Sequence, residues 1–146
     1  MEPMGVIGIL APEESTLLGL LSMGLPAIAS GNTAVALVSH SQPYPAILLG
    51  EILAVSDLPG GVVNLLTGTR ADILPTMATH AHLRAVYAVA NKSERTEIQQ
   101  GAAEHVKRTV FINSETPRDW FAETSQGLYE IRHFLEPKTT WHPVGA

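Results

Sequence analysis

Apolar positions along the chain fall into short runs separated by turn-forming residues, and the spacing within the runs alternates between two kinds. Met4 to Leu10 is a brief apolar run containing Gly5 and Gly8, which predicts a strand buried on both faces of a parallel sheet. Ala11-Pro12-Glu13-Glu14-Ser15 reads as a turn with Ser15 as an N-cap. The residues that follow are apolar around the whole circumference as far as Gly31, which predicts a buried helix kinked near Pro26 and stopped at Gly31. Ala34 to Val38 is a second strand. Pro43 and Pro45 then open a helix on which Ile47, Leu48, Ile52 and Val55 recur at helical spacing, and which ends before Pro59-Gly60-Gly61.

The alternation continues with a strand at Val62 to Leu66, a short helix at Ala71 to Thr79 carrying Ile73, Leu74 and Met77, and a strand at Leu83 to Val89. Ser93 to Val106 reads as an exposed helix with Ile98, Ala102 and Val106 on its inner face, and Thr109 to Ile112 as a fifth strand. Strand–helix–strand units with short connections close by right-handed crossovers. They predict an α/β fold with a Rossmann-like, doubly wound, mostly parallel sheet and helices on both faces. From Pro117 the pattern changes: Leu128, Ile131 and Leu135 mark an amphipathic helix that Pro137 stops, and Thr139 to Trp141 form a terminal extended piece. The chain thus divides into an α/β unit over 1–117 and a helix-plus-strand element over 118–146.

Composition narrows the function classes. At 146 residues, 45% hydrophobic and 16% charged, the chain has the size and balance of one globular domain with a core. A net charge of -5, with basic residues scattered apart from Lys107-Arg108, argues against nucleic acid as a partner. The chain contains no cysteine, which removes disulfides, thiolate metal sites and thiol nucleophiles together and fits a reducing compartment. The most apolar run, Leu17 to Ala29, is broken by Ser22, Gly24 and Pro26 and preceded by Glu13 and Glu14, so it predicts neither a membrane span nor a secretion signal. Cytoplasmic localisation, with no membrane partner, is the resulting expectation.

Local motifs add little chemistry. The first strand lacks the G-x-G-x-x-G dinucleotide fingerprint, and Gly24 to Gly31 lacks the lysine of a P-loop. His80 and His82 offer two imidazoles without an obvious third ligand and read as surface residues, so no metal is expected. Glu13 and Glu14 beside Ser15 read as negative residues favoured at a helix N-terminus rather than as an acid–base pair.

Longer blocks carry more information. Glu2 to Pro12 (E-P-M-G-V-I-G-I-L-A-P), Leu25 to Thr33 (L-P-A-I-A-S-G-N-T) and Leu58 to Gly68 (L-P-G-G-V-V-N-L-L-T-G) resemble, in order, the opening of the cofactor domain, the P-A-L-A-x-G-N-T helix end and the L-P-x-G-V-x-N-x-x-T-G block of the aldehyde dehydrogenases. The resemblance runs from Glu2 to about Pro117. It resumes at Glu136-Pro137-Lys138-Thr139-Thr140-Trp141, similar to the family's C-terminal K-T-V-W-type strand, while the intervening catalytic domain is missing. The A-P-E-E opening and Pro117-Arg118-Asp119-Trp120 resemble the degenerate second domain of the family-sixteen aldehyde dehydrogenases. This likeness implies a cofactor domain of the aldehyde dehydrogenase type over 1–117, and an oligomerisation element over 118–146 whose interface residues are Lys138, Thr139, Thr140 and Trp141.

Departures from the family pattern decide what the resemblance implies for chemistry. The family uses a Cys nucleophile, an Asn that holds the oxyanion and a Glu base that activates water. Here there is no cysteine, Glu13-Glu14 stand where W-N is expected, and no acidic residue lies between Val106 and Ser114, where the base belongs. The family's K-P-S-E block, which holds the adenosine ribose, corresponds to Leu37-Val38-Ser39-His40, and its F-T-G-S turn to Ala88-Val89-Ala90-Asn91. Ala11, Pro12 and Gly68 match cofactor-site positions, so NAD is the cofactor that the resemblance implies, although those three residues mainly shape backbone.

Three functional expectations result. The first is a non-catalytic module that docks on a catalytic aldehyde dehydrogenase domain or forms a homo-oligomer, using an extended terminal segment that adds to a sheet edge. The second is a residual NAD- or nucleotide-binding module working at the strand ends of a doubly wound sheet. The third is a portion of an active NAD-dependent oxidoreductase whose nucleophile lies outside this chain, with the native gene continuing upstream of Met1.

Overall fold

The computed structural model describes residues 1–125 and 127–142. Its element order is β1 (Glu2–Pro3), β2 (Val6–Leu10), α1 (Leu18–Ala29), β3 (Thr33–Leu37), α2 (Tyr44–Ala54), β4 (Val63–Leu66), α3 (Arg70–Thr79), β5 (Leu83–Ala90), α4 (Lys92–Ala103), β6 (Arg108–Asn113) and β7 (Leu135–Glu136), with 3-10 turns at Glu123–Ser125 and Leu128–Phe134. Five strands form a parallel sheet in the order β4-β3-β2-β5-β6. The chain therefore builds outward from β2 to β4, returns across the sheet and builds outward again from β5, leaving a topological switch point between β2 and β5. This is the Rossmann-like α/β sheet that the alternation of runs predicts.

Two apolar layers sandwich the sheet. On one face Leu20, Met23 and Ala27 of α1 and Ala46 of α2 pack on Ile7, Ile9, Ala34, Ala36, Ala85 and Tyr87, joined by Trp120 and Phe134 from the C-terminal segment. On the other, Leu74 and Met77 of α3 and Ile98 of α4 pack on Leu10, Leu37, Val86 and Ala88. Strands β2 and β5 are apolar at nearly every position because both of their faces are covered. A Cβ on Gly101 would lie 2.8 Å from the Ala78 Cβ, so only glycine lets α4 lie this close to α3.

The C-terminal segment is tied back to the start of the chain. β7 pairs antiparallel with β1, Glu2 opposite Glu136 and Pro3 opposite Leu135. Asn32, 3% exposed, accepts from the Gly5 amide at 2.8 Å and donates to the Phe134 carbonyl at 2.9 Å, which gives the G-N-T block a structural task. Arg108 donates to the carbonyls of His133 and Leu135 at 2.9 and 3.0 Å and pairs with Glu136 at 2.7 Å. The Tyr87 hydroxyl donates to Glu130 at 2.9 Å, and burial, followed by the Glu130 charge, raises the phenol well above its ordinary range.

Several expectations are corrected. Leu128–Phe134 is a 3-10 helix rather than an amphipathic α-helix; only Phe134 is buried in it, and Asn32 and Arg108 cap its last carbonyls. The α1 run is apolar all round, yet only Gly19, Leu20, Met23 and Ala27 are buried, and Leu25 stands in the open. Ser15 does not cap α1 from its N-cap position. It lies two residues before the N-cap, Leu17, and its carbonyl and hydroxyl both accept from the Gly19 amide. On α2 the stripe Ile47, Leu48, Ile52 and Val55 points outward, and the buried residue is Ala46. Val106 is not on an inner face. It follows α4 in a left-handed conformation (φ 51°) and is 92% exposed.

Candidate functional site

In an open parallel sheet the natural crevice for a ligand lies beyond the carboxyl ends of the strands, at the switch point. Here that rim is formed by Ala11-Pro12-Glu13 after β2, Ser39-His40-Ser41 after β3, Arg70 at the start of α3, and Val89-Ala90-Asn91 at the end of β5. Parallel strands all present their last carbonyls on this edge, so the edge needs donors.

Arg70 supplies them at the switch point itself. Its guanidinium donates at 2.5 Å to the Ala11 carbonyl beyond β2 and at 2.6 Å to the Val89 carbonyl of β5, and it lies 3.4 Å from Glu94. A cation at the first position of a helix opposes the positive end of the helix dipole. Its presence on α3 is explained by these two carbonyls, bound by a charged and therefore stronger donor. Arg95 repeats the device one residue on, donating to the Ala90 carbonyl at 2.9 Å.

Glu13 fills the neighbouring half of the crevice. Its carboxylate accepts from the Ser39 hydroxyl at 2.8 Å, the Ser41 hydroxyl at 2.9 Å, and the backbone amides of His40 and Ser41 at 3.1 and 3.2 Å. Burial works against the charge, but the bonds from His40, Ser39 and Ser41 outweigh it and hold the carboxyl down at about 2. Glu13 is therefore not a negative residue stabilising the start of α1, whose first turn holds no acid. It turns away to the β3 loop.

The positions that the resemblance carries over lie within the same rim. Ala11 is 1% exposed, its amide donating to the Leu37 carbonyl at 3.0 Å and its own carbonyl held by Arg70. Pro12 is buried against α1, where a Cβ on Gly19 would lie 2.3 Å from the Pro12 ring. Gly68 precedes α3, and a Cβ there would meet the Ile73 side chain at 2.6 Å. All three positions therefore carry packing contacts. His80 and His82 sit with ring centroids 5.7 Å apart, and no cluster of three metal-ligating side chains occurs among the described residues. Sequence reasoning passed over Arg70 and Arg95, and read Ser39-His40 as the counterpart of a ribose-holding block without seeing that the loop binds Glu13. The signal available was the arginine at a helix start, a local conflict that only a tertiary contact resolves.

A dinucleotide needs free backbone amides for its pyrophosphate and side chains for its ribose hydroxyls. In this crevice the His40 and Ser41 amides serve Glu13, and the Asn91 and Glu94 amides at the start of α4 are consumed by a reciprocal capping box. Ser39 is 1% exposed and already bonded, and Arg70 spans the switch point. The residues present do not fit NAD.

Comparison with known proteins places the fold in its family. The model of the aldehyde dehydrogenase family matches residues 1–112, ending within β6. The chain belongs to the aldehyde dehydrogenase family. It is 33% identical over 106 residues to the betaine aldehyde dehydrogenase of Hordeum vulgare, covering 73% of this chain and 21% of that protein. To a 2-hydroxymuconic semialdehyde dehydrogenase of Pseudomonas it is 32% identical over 110 residues, 75% of this chain and 23% of the other. The crystal structure of an aldehyde dehydrogenase from Bartonella henselae superposes with a TM-score of 0.72 at 27% identity, over 77% of this chain and 24% of that one. A mutant aldehyde dehydrogenase C from Pseudomonas syringae, crystallised with NAD+ and octanal, gives 0.72 at 30% identity over 75% of this chain and 23% of its own. The chain thus spans about a fifth of the length of the curated relatives it matches. No helix among the described residues is long and apolar enough to cross a membrane.

Proposed function

We propose that this chain is a non-catalytic aldehyde dehydrogenase module whose task is structural: docking on a catalytic aldehyde dehydrogenase domain or on a second copy of itself. The observation that carries this reading is the Glu13-Glu14 pair. Where the family pattern has W-N, Glu14 stands at the position of the oxyanion-holding Asn, and Glu13 beside it is fixed as a carboxylate by four hydrogen bonds within the β3 loop. A Glu side chain at the Asn position lacks the amide N–H that acyl chemistry needs to hold its oxyanion. The absence of any cysteine removes the nucleophile from this chain as well.

Support for docking comes from the surface. Tyr44, Ile47, Leu48, Ile52 and Val55 form an exposed apolar stripe along α2 and its C-cap, the kind of contiguous apolar surface that marks interaction sites. Lys138, Thr139, Thr140 and Trp141, the interface residues implied by the resemblance, are exposed and outside regular structure, with Lys138 paired to Glu2. The end of the terminal segment, 143–146, lies outside the described residues.

A second reading, a portion of a larger NAD-dependent aldehyde dehydrogenase whose nucleophile lies elsewhere, is favoured by the short share of each relative that the chain covers. The test is an aldehyde oxidation assay on the purified chain with NAD, run beside light scattering at increasing concentration. The structural reading expects no turnover together with self-association or capture by a catalytic dehydrogenase domain. Turnover abolished by a point substitution in this chain overturns it, as does a monomer that binds no such domain.

A further inference from the structure

The donors around Glu13 are arranged as a ligand site is arranged. Consecutive backbone amides of His40 and Ser41 converge with two serine hydroxyls on one carboxylate, and a fifth bond, from the Gln42 amide to the Ser39 hydroxyl at 3.2 Å, holds the loop in that shape. Successive amides turned to one point form an anion cradle. The cradle stands at the end of β3, beside the switch point that Arg70 bridges.

Building on the non-catalytic reading, we propose that the strand-end crevice is self-liganded. The Glu13 carboxylate occupies an anion cradle made by Ser39, His40 and Ser41, Arg70 bars the switch point, and the crevice takes no dinucleotide. A carboxylate tethered within the same chain is present at a high effective concentration, so a free nucleotide phosphate must displace it before using the same amides. The two side chains do for this fold what a bound ligand does for a cofactor domain. They satisfy the strand-end donors and acceptors and couple β2 to β3 and to β5.

Emptying the cradle exposes the site. Glu13→Ala keeps all four donors and removes the anion, so a small carboxylate supplied in solution should take its place. The experiment is thermal denaturation of the full chain and of Glu13→Ala, each with formate titrated against chloride at constant ionic strength, and separately with millimolar NAD. The variant should lose roughly 3 °C in Tm in chloride and recover it saturably with formate, while the parent chain responds to neither formate nor NAD. A saturable rise in parent Tm with NAD overturns the proposal, as does an unchanged Tm in Glu13→Ala or a loss that formate does not restore. Should Glu13→Ala fail to fold, Ser41→Ala serves. An NMR titration of the Glu13 carboxyl carbon should show it near 2 in the parent and moved toward the ordinary carboxylate range in Ser41→Ala. An ordinary value in the parent is the overturning result. NAD binding without turnover would end this inference and leave the non-catalytic reading intact; turnover would end that reading itself.

Discussion

The strand-end crevice and the outer face of α2 are opposites. In the crevice the charged and polar groups that matter most have partners in the same chain: Glu13 in the β3 loop, Arg70 on two strand carbonyls, and Asn91 and Glu94 on each other. On α2, large apolar side chains stand in solvent, Tyr44 at 71%, Ile52 at 55% and Val55 at 86% exposure. These polar groups at the cleft are bonded within the chain, whereas large apolar groups stand in water on α2. The difference is the one that the docking proposal requires, and each half of it predicts measurable behaviour.

The largest expected effect comes from the apolar side, where covered and uncovered residues lie on one short 3-10 helix. Phe134 is fully buried against Tyr87, their ring centroids 5.5 Å apart, and Leu128 is 82% exposed. Phe134→Ala should lower unfolding stability in urea by about 4 kcal/mol, whereas Leu128→Ala should change it by less than about 0.5 kcal/mol. Equal losses at the two positions would mean that Leu128 is covered in the isolated chain, and the contrast would fail.

In the crevice, Arg70→Met keeps the length of the side chain and removes the donors. The Ala11 and Val89 carbonyls lose a charged partner, and a loss of about 2 kcal/mol is expected in the same urea series. A near-neutral result would show that water serves these carbonyls equally well.

How much of this was legible beforehand follows from what each signal reports. Apolar runs read out burial, so the five strands and four main helices were visible within a few residues, and β5, covered on both faces, was the plainest. On α2 the helical spacing marked a real apolar stripe, but periodicity does not say which side the sheet lies on. The smaller Ala46 turned inward because α2 packs close to the sheet. Leu128 to Leu135 failed for another reason: the spacing fits an α-helix, but Leu128 is exposed, only Phe134 is fully buried, and Leu135 pairs as a strand with Pro3, a contact distant in sequence. Family blocks identified which catalytic groups are missing. They did not show Glu13 reaching across 26 positions to Ser39, because a hydrogen bond of that range leaves no local pattern.

Glu13 also gives the crevice a pH signature. Its carboxyl, held at about 2 in the folded chain against 4.5 as an ordinary value, binds protons more readily when unfolded. Its stabilisation is therefore complete above about pH 4.5 and is lost as pH falls through 4.5 toward 2. The side chain is only partly buried, so solvent screening reduces the contribution to about 1 kcal/mol. Glu13→Gln should flatten the stability profile in that acid window and leave its shape near neutrality unchanged. An unaltered acid limb would place the acid sensitivity elsewhere.

The smallest effect on stability is the one that tests the other half of the contrast. Replacing Leu48 and Ile52 together by lysine puts two cations on a face that is 44% and 55% exposed at those positions, where the lysine stems can keep much of the remaining packing, so urea unfolding should move by no more than about 1 kcal/mol. If the α2 stripe is kept for docking, the same change places charges in the centre of an apolar contact, where their desolvation has no compensating partner. Self-association by light scattering, or capture by a catalytic dehydrogenase domain, should then fall at least tenfold with the fold intact. Unchanged association would move the docking role from α2 to the terminal residues Lys138, Thr139, Thr140 and Trp141. The same measurement on a chain truncated after Pro137 would then decide between the two surfaces.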